Sequence, residues 1–178
     1  VWERVLSRRL DAVVEREGLR APTQCGFRKG CGTIDALFTM QHILHKYKAQ
    51  GKRVFCIFVD FQKAFDLVDR ELLLQRCKRL GIQGLFMDAL IALYDRVQLR
   101  VCVNGDIGTS FSTHVGTKQG SELSPLLFGL FIELLHVMLR LDDHTQHIGP
   151  TLADLHVPDL LYADDCVLFA ESVADCQQ

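Results

Sequence analysis

The sequence lacks any Cys-x-x-Cys pair, although it contains seven cysteines, which are scattered through apolar stretches. An odd number of isolated cysteines is typical of a chain in a reducing compartment, where cysteine serves as a small core residue. The sequence also shows no signal peptide or targeting run. We therefore expect an intracellular location.

Internal repeats, low-complexity tracts and evident linkers are absent as well. One domain is expected, because 178 residues can bury about 70% of the surface that the unfolded chain exposes. The apolar stretch 123–139 is short for a membrane span and is interrupted by Glu133 and His136. It predicts a buried core helix, and no membrane partner is expected.

The net charge is only −2, which is small for a nucleic-acid-binding protein taken as a whole. Residues 1–55 contain 11 Lys and Arg against 5 Asp and Glu, a net of +6, whereas residues 56–178 contain 9 against 17, a net of −8. A basic segment can bind phosphate groups, and an acidic segment can bind metal ions. The charge pattern is equally consistent with a simpler alternative, in which the basic residues only make one face of a surface helix soluble in water. These residues are Arg8, Arg9, Arg16 and Arg20.

Two adjacent carboxylates, Asp164 and Asp165, separate two short apolar runs near the C-terminus. Each run is too short for a stable helix and rich in Val, Leu and aromatic residues, which predicts a β-hairpin with the aspartates at its tip. Two negative charges held so close repel each other unless a cation lies between them, and Mg²⁺ prefers such oxygen ligands. The dipeptide alone, however, favours a solvated turn.

A second acidic position, Asp60, follows the six apolar residues 54–59, which predict a strand buried on both faces. A charged residue at the end of a buried strand is usually a turn former or a ligand. Asp66 and Asp69 lie where the next helix begins, so both are better interpreted as helix caps. If the strand of Asp60 lies beside the hairpin, three carboxylates converge from two distant segments.

Apolar periodicity and turn residues predict the other elements. Asn104-Gly105 predicts a hairpin that joins a strand at 97–103 to a following strand. Helices are expected at 2–14, 34–47, 70–80, 84–94 and 126–139. This order of elements indicates an α+β fold, in which an antiparallel sheet has its helices on one face.

Four blocks of the sequence, taken in order, resemble the reverse transcriptase domain of non-LTR (LINE-like) retrotransposons. They are Gln24–Asp35, Val59–Asp66, Gly116–Phe128 and Tyr162–Asp165. One block alone could arise by chance, but four in the family's order make the resemblance specific.

The resemblance implies a right-hand polymerase palm plus part of the fingers. Residues 1–52 would be fingers-derived helices with a basic loop, and residues 53–178 would be the palm. The primer grip and the thumb are expected to be absent, so that the chain is a partial domain. A nuclear location is only what a LINE-like life cycle implies.

The resemblance also implies an RNA-directed DNA polymerase that acts on an RNA template, a DNA primer and dNTPs. Two Mg²⁺ ions, for which Mn²⁺ could substitute, would serve the nucleotidyl transfer. Asp60, Asp164 and Asp165 match the catalytic carboxylates, and the backbone carbonyl of Phe61 would be a further metal ligand. Asp60 and Asp164 are expected to bridge both ions.

Further site residues come from the same resemblance. The nucleotide site would include Phe65, Lys118, Gln119 and Gly120, and the nucleic-acid contacts would include Arg28, Lys29 and Tyr162. The Phe65 ring would clash with a 2′-hydroxyl and so favour deoxynucleotides. Phe65 and Tyr162 are also compatible with ordinary core aromatics, and Lys118 with an idle surface lysine.

The sequence departs from the family at Ser121-Glu122, where Cys-Pro is common. Two other functions stay open. A retroelement-derived remnant could fold or bind nucleic acid without polymerising. An RNA-directed RNA polymerase shares the palm, although Phe65 and the Tyr162-Ala163 pair argue against it.

Overall fold

The computed structural model describes residues 1–118 and 120–178, and the predicted site residue Gln119 lies outside them. The described residues form five α-helices: α1 (Trp2–Arg16), α2 (Thr33–Ala49), α3 (Arg70–Arg79), α4 (Gly84–Asp95) and α5 (Ser124–Leu141). Each lies within two residues of its predicted ends. The periodicity of apolar residues was therefore sufficient to locate the helices.

The strands are short, and a 3₁₀ helix (Asp175–Gln177) follows the last of them. They are β1 (Phe55–Asp60), β2 (Gln98–Leu99), β3 (Cys102–Val103), β4 (Asp106–Ile107), β5 (Phe111–Ser112), β6 (Thr151–Leu152), β7 (Leu155–His156), β8 (Asp159–Tyr162) and β9 (Asp165–Ala170). All strand pairs are antiparallel. The predicted α+β class is confirmed.

The chain divides into two compact units. We call Val1–Asp11 with Lys63–Phe131 the helical unit, and Ala12–Gln62 with Ile132–Gln178 the sheet unit. The boundary falls inside α1 and inside α5.

The sheet unit is built on a three-stranded sheet with the order β1-β9-β8. One face packs against α2 through a core formed by Ile43, Tyr47, Val157, Leu160 and Phe169. On the opposite face, the fully buried Asp159 is hydrogen bonded to His136 of α5. The prediction that helices lie on one face only is therefore wrong. Strand β8 has buried residues on both faces, so that other elements have to pack against each of them.

Strand β1 differs from its prediction of burial on both faces. Its residues are only partly buried, and the Phe58 side chain is 70% exposed. The reason is the position of β1, which lies at the edge of the sheet and, within the described part of the chain, has β9 as its only neighbouring strand. An apolar run by itself does not distinguish an edge strand from a central one.

In the helical unit, Asp69 caps α3, and its side chain accepts a hydrogen bond from the backbone N–H of Leu72 at 3.0 Å. The predicted cap role is thus confirmed for Asp69 and not for Asp66, which lies three residues before the cap position. Asn104 and Gly105 both have positive φ and join β3 to β4, as predicted. The strand expected at 97–103 is broken into β2 and β3.

Helix α5 has the length and apolar composition of a membrane-crossing helix, the only such helix in the described part of the chain. Half of its residues are buried inside the protein. Leu127, Leu130 and Glu133 are almost completely buried.

Candidate active site

Asp60 and Asp165 are paired across two neighbouring antiparallel strands. The β1–β9 register places Asp60 directly opposite Asp165, and the β8–β9 register places Tyr162 opposite Asp165. Asp164 lies in the two-residue turn between β8 and β9. The strand of Asp60 therefore lies beside the hairpin, and three carboxylates share one end of the sheet.

The turn that carries Asp164 has an unusual backbone. Ala163 has a φ of +58°, in the left-handed region that residues with a Cβ seldom adopt. Such a φ is common in two-residue hairpin turns, because it matches the twist of the flanking strands. The conformation of Ala163 therefore determines the direction of the backbone at Asp164, relative to strands β8 and β9.

Residues that pair directly share one face of a sheet, so Asp60, Asp165 and Tyr162 lie on the face that packs against α2. A cavity of about 350 Å³ opens on this face. Its walls are mainly apolar and include Leu37, Met40, Phe58, Leu160 and Val167, together with both carboxylates. An acidic pair thus adjoins a largely apolar cavity.

None of the three carboxylates forms an ion pair with a described residue. Asp60 and Asp165 are exposed and Asp164 is half-buried. Although other acidic residues form ion pairs, no described side chain donates a hydrogen bond to any of these three. Neighbouring like charges without a partner leave a donor set open to a cation.

A magnesium ion requires several oxygen ligands, which need not all come from the protein. Among residues 1–118 and 120–178, no three His, Cys, Asp or Glu side chains are grouped closely enough to hold a metal by themselves. In polymerases, Mg²⁺ usually takes one or two protein carboxylates and completes its shell with water and substrate phosphates. The Asp60–Asp165 pair, with Asp164 beside it, fits a site in which water and substrate phosphates supply the other ligands.

A buried polar network lies on the opposite face of the same hairpin. The Thr23 hydroxyl donates to Asp159 Oδ1 at 2.8 Å, and His136 Nδ1 lies 2.6 Å from Asp159 Oδ2. Burial, with a smaller effect from the Asp159 charge, raises the pKa of the Cys166 thiol to about 12. Sequence reasoning missed this network, since no local pattern connects positions 23, 136 and 159.

Segment 23–26 extends the sheet beside β8. Cys25 N donates to Leu161 O at 2.9 Å, and Leu161 N donates to Thr23 O at 3.0 Å. Gln24 and Leu161 form a parallel bridge. The block that resembled the fingers-to-palm segment therefore contacts the strand that leads to the carboxylates.

The basic residues expected to contact nucleic acid differ in their surroundings. Arg28 is ion paired with Glu15 at 3.0 Å and is mostly buried, whereas Lys29 is exposed. Arg20 also pairs with Glu15, at 3.0 Å, and its side chain is only 3% exposed. One interpretation of the charge pattern placed Arg20 on a solvated helix face. The burial of its side chain shows that this interpretation is wrong for Arg20.

The remaining predicted residues belong to the helical unit. The Phe65 ring stacks on Phe128, with 4.3 Å between the ring centroids. Lys118 Nζ lies 3.5 Å from a Glu3 carboxylate oxygen. Gly120 is exposed and has a φ of +77°. The aromatic contact gives Phe65 the packing expected of a core residue without burying it completely.

The loop that departs from the family at Glu122 is held by α1. Arg4 Nε donates to both carboxylate oxygens of Glu122, at 2.8 and 2.7 Å, and Ser7 donates to the Glu122 carbonyl at 3.0 Å. The hydrogen bond from Arg4 holds the pKa of the Glu122 carboxyl below its ordinary value. A fixed ion pair stands where the family commonly has a rigid proline.

Comparisons with known proteins agree on one family. The family model described as "Reverse transcriptase (RNA-dependent DNA polymerase)" matches residues 1–178. A Pol polyprotein from the type-1 retrotransposable element R2 of Popillia japonica is 29% identical over 170 residues, which cover 95% of this chain and 23% of that protein.

Two further relatives are similar over shorter alignments. A probable RNA-directed DNA polymerase from transposon BS of Drosophila melanogaster is 29% identical over 134 residues, 74% of this chain and 14% of that protein. The transposon TX1 149 kDa protein of Xenopus laevis is 27% identical over 159 residues, 88% of this chain and 12% of that protein. The chain spans less than a quarter of the length of these curated relatives. It belongs to the reverse transcriptase (RNA-dependent DNA polymerase) family, and its predicted resemblance to the enzymes of non-LTR retrotransposons is confirmed.

Proposed function

We propose that this chain is the palm, with part of the fingers, of an RNA-directed DNA polymerase from a non-LTR retrotransposon. Its substrates are an RNA template, a DNA primer and dNTPs, and a nuclear location follows from that life cycle. The observation that carries the proposal is the register of Asp60 opposite Asp165, with Asp164 in the adjoining turn. These are the positions at which the family motifs place carboxylates.

The carboxylates are proposed to hold two divalent ions. Asp60 and Asp164 would bridge both ions, Asp165 would add charge, and the Phe61 carbonyl would be a further ligand. When bound, Mg²⁺ activates the primer 3′-hydroxyl and neutralises charge on the leaving phosphates. The protein's own contribution is to keep three acids, none of them ion paired with a described residue, at one end of the sheet, where water and phosphate can complete the metal shell.

Several residues are proposed to contact the nucleotide or the nucleic acid. Phe65 would select against a 2′-hydroxyl, and its stacking on Phe128 supports this role because a packed ring cannot easily move aside. Lys118, Gln119 and Gly120 would line the nucleotide site. Lys29 is free to reach a phosphate, whereas Arg28 would have to exchange its bond to Glu15. Tyr162 would pack beneath the primer end.

The direct test is incorporation of dNTPs on an RNA template annealed to a DNA primer, with and without Mg²⁺. We expect wild-type extension that depends on the metal and is lost in Asp164→Ala. Extension that survives Asp164→Ala would contradict the two-metal mechanism. Extension with rNTPs would favour the RNA polymerase, and complete inactivity of the wild-type chain would favour the non-catalytic remnant.

A further inference from the structure

A fully buried carboxylate lies beneath the catalytic hairpin and has no part in metal binding. Asp159 begins β8, five residues before Asp164, and its accessible surface is 0%. The Thr23 hydroxyl donates to one of its oxygens at 2.8 Å. His136 Nδ1 lies 2.6 Å from the other oxygen, so that both oxygens are bonded.

A carboxyl group in a dry interior costs free energy unless its oxygens are hydrogen bonded, and an apolar side chain at the same place often serves stability as well. The neighbours of Asp159 along the chain, Val157, Leu160 and Leu161, are buried and apolar. Asp159 therefore interrupts an apolar run at a position where packing alone does not require a charge. Directional hydrogen bonds, rather than stability, are what the carboxylate adds.

Those bonds hold the segment that runs beside β8. Thr23, which donates to Asp159, is also the residue whose carbonyl accepts from Leu161 N. A second buried acid holds the same segment at Ala21, two residues before Thr23. Glu133 Oε1 accepts a hydrogen bond from the backbone N–H of Ala21 at 3.1 Å. Glu133 is one turn before His136 on α5. Two buried acids thus anchor segment 21–26.

The other end of the segment contacts the catalytic turn. A Cβ on Gly26 would lie 2.0 Å from the backbone nitrogen and 2.7 Å from the Cα of Ala163. The Gly26 N–H donates to the buried Gln24 side chain at 2.7 Å, which fixes this approach. Segment 21–26 is therefore a brace between the Asp159 network and the turn that carries Asp164.

We propose that Asp159 is a positioning residue for the catalytic carboxylates. Together with His136 and Thr23, it holds segment 21–26 against β8, and Gly26 then supports the turn so that Asp164 and Asp165 face the metal in one geometry. The proposal rests on the proposed polymerase function. A displacement of about 1 Å at reacting groups can cost about a hundredfold in rate, so a small relaxation of the brace is measurable.

The test compares Thr23→Val with Thr23→Ser in the full chain. Valine keeps the shape of threonine but leaves Asp159 Oδ1 unbonded, whereas serine keeps the hydroxyl. We expect Thr23→Val to lower kcat about tenfold or more, to change the KM for dNTP by less than about twofold, and to weaken Mn²⁺ binding measured by electron paramagnetic resonance. Thr23→Ser should restore all three. Asp159→Leu, which removes both acceptor oxygens at nearly the same side-chain size, should lower kcat in the same way.

A matched control separates positioning from loss of stability. Leu73→Ala empties a fully buried site on α3 in the helical unit, far along the chain from the brace. Rates are compared at equal folded fraction, measured by circular dichroism. If Thr23→Val loses no more kcat than Leu73→Ala, the proposal is overturned.

The polymerase function and the positioning role can fail separately. If the wild-type chain binds Mn²⁺ without extending primers, the polymerase function fails and the Mn²⁺ comparison decides the role of Asp159. Equal Mn²⁺ affinity of Thr23→Val and Thr23→Ser then overturns the positioning role. A wild-type chain that binds no Mn²⁺ overturns both.

Discussion

Gly26 lies with its backbone against the backbone of Ala163, so close that a Cβ on residue 26 would be 2.0 Å from the Ala163 nitrogen. A Cβ atom and a backbone nitrogen that are not bonded to each other essentially never lie closer than 3.0 Å. The contact joins the segment after α1 to the turn that carries Asp164. It explains why the residue at position 26 has to be glycine for a reason of space, since its φ is not positive.

Gly26→Ala should therefore displace the catalytic turn. We expect it to destabilise the fold by about 1–3 kcal/mol or more, the cost of overpacking, and to reduce primer extension further than the folded fraction explains. Thermal unfolding and extension rates at matched folded fraction measure the two effects.

Gly129→Ala is the matched control for this substitution. Its Cβ would meet nothing within 4 Å, and alanine is favoured over glycine inside a helix such as α5 by up to about 1 kcal/mol. Gly129→Ala should therefore unfold at the same or a higher temperature. Equal behaviour of the two variants would contradict the close contact at Gly26.

Neutralising one member of the carboxylate pair should separate function from stability. In Asp165→Asn and Asp60→Asn, the repulsion between directly opposed charges is removed, so the metal-free protein should be more stable by about 0.2–1 kcal/mol. Mg²⁺ should raise the wild-type Tm but raise that of Asp60→Asn much less. Calorimetric scans with and without Mg²⁺ measure both shifts.

The three aspartates should differ in activity. We expect extension to be abolished in Asp60→Asn and Asp164→Asn and reduced less in Asp165→Asn, since the first two are proposed to bridge both ions. Asp143→Asn is a control, because Asp143 is an exposed carboxylate in the turn that follows α5 and belongs to none of the family motifs. An Asp165→Asn variant more damaged than Asp164→Asn would reverse the proposed roles.

The Arg4–Glu122 pair predicts a pH-dependent contribution to stability. The hydrogen bond from Arg4 lowers the pKa of Glu122 from its ordinary value of 4.5, so the folded protein binds this proton less tightly than the unfolded chain does. The stabilisation is therefore present above pH 4.5 and is lost as the pH falls through the lower folded pKa. Because both side chains are exposed, the difference in Tm between wild type and Glu122→Gln should be small at neutral pH and should disappear once the pH is below the folded pKa of Glu122.

Exchange of the two charges tests whether the pair also positions the loop. Arg4→Glu alone should reduce the kcat/KM for dNTP, because it places two carboxylates together beside Lys118 and Gly120. The double variant Arg4→Glu/Glu122→Arg should recover most of the loss. If the double variant is as impaired as the single one, the ion pair has no role in holding this loop.

Phe65 predicts the choice between deoxynucleotides and ribonucleotides. Removal of the ring in Phe65→Val should raise the ratio of rNTP to dNTP incorporation by at least about tenfold, since the proposed clash with the 2′-hydroxyl is lost. Phe128→Leu removes the stacking partner but keeps the Phe65 ring. It should lower stability and change sugar selectivity far less, as steady-state incorporation of both nucleotides would show.

Much of the local structure could be predicted from the sequence, for reasons that lie within a few residues of each element. The apolar spacing in α1 to α5 follows the 3.6-residue period of a helix, Asn104-Gly105 has the backbone freedom of a hairpin turn, and Asp69 is a favoured cap. The paired aspartates between two apolar runs likewise indicated a hairpin with an acidic tip. These features depend on local backbone preferences, which are set by the types of the residues within the element and beside it.

Other features depended on contacts between distant segments. The register of Asp60 with Asp165, the exposure of Phe58 on an edge strand and the burial of Arg20 are not determined by the residues beside them. Nor is the hydrogen-bond network of Thr23, His136 and Asp159, whose members are more than twenty residues apart in the chain.

The amino-acid sequence by itself thus determined the helices, the acidic turn and the family motifs. Only the tertiary structure decided which strand lies beside which, and therefore which carboxylates oppose each other. The physical reason is that strand pairing and burial are selected by the packing of the whole unit, so that one backbone register brings Asp60 and Asp165 together from segments about a hundred residues apart.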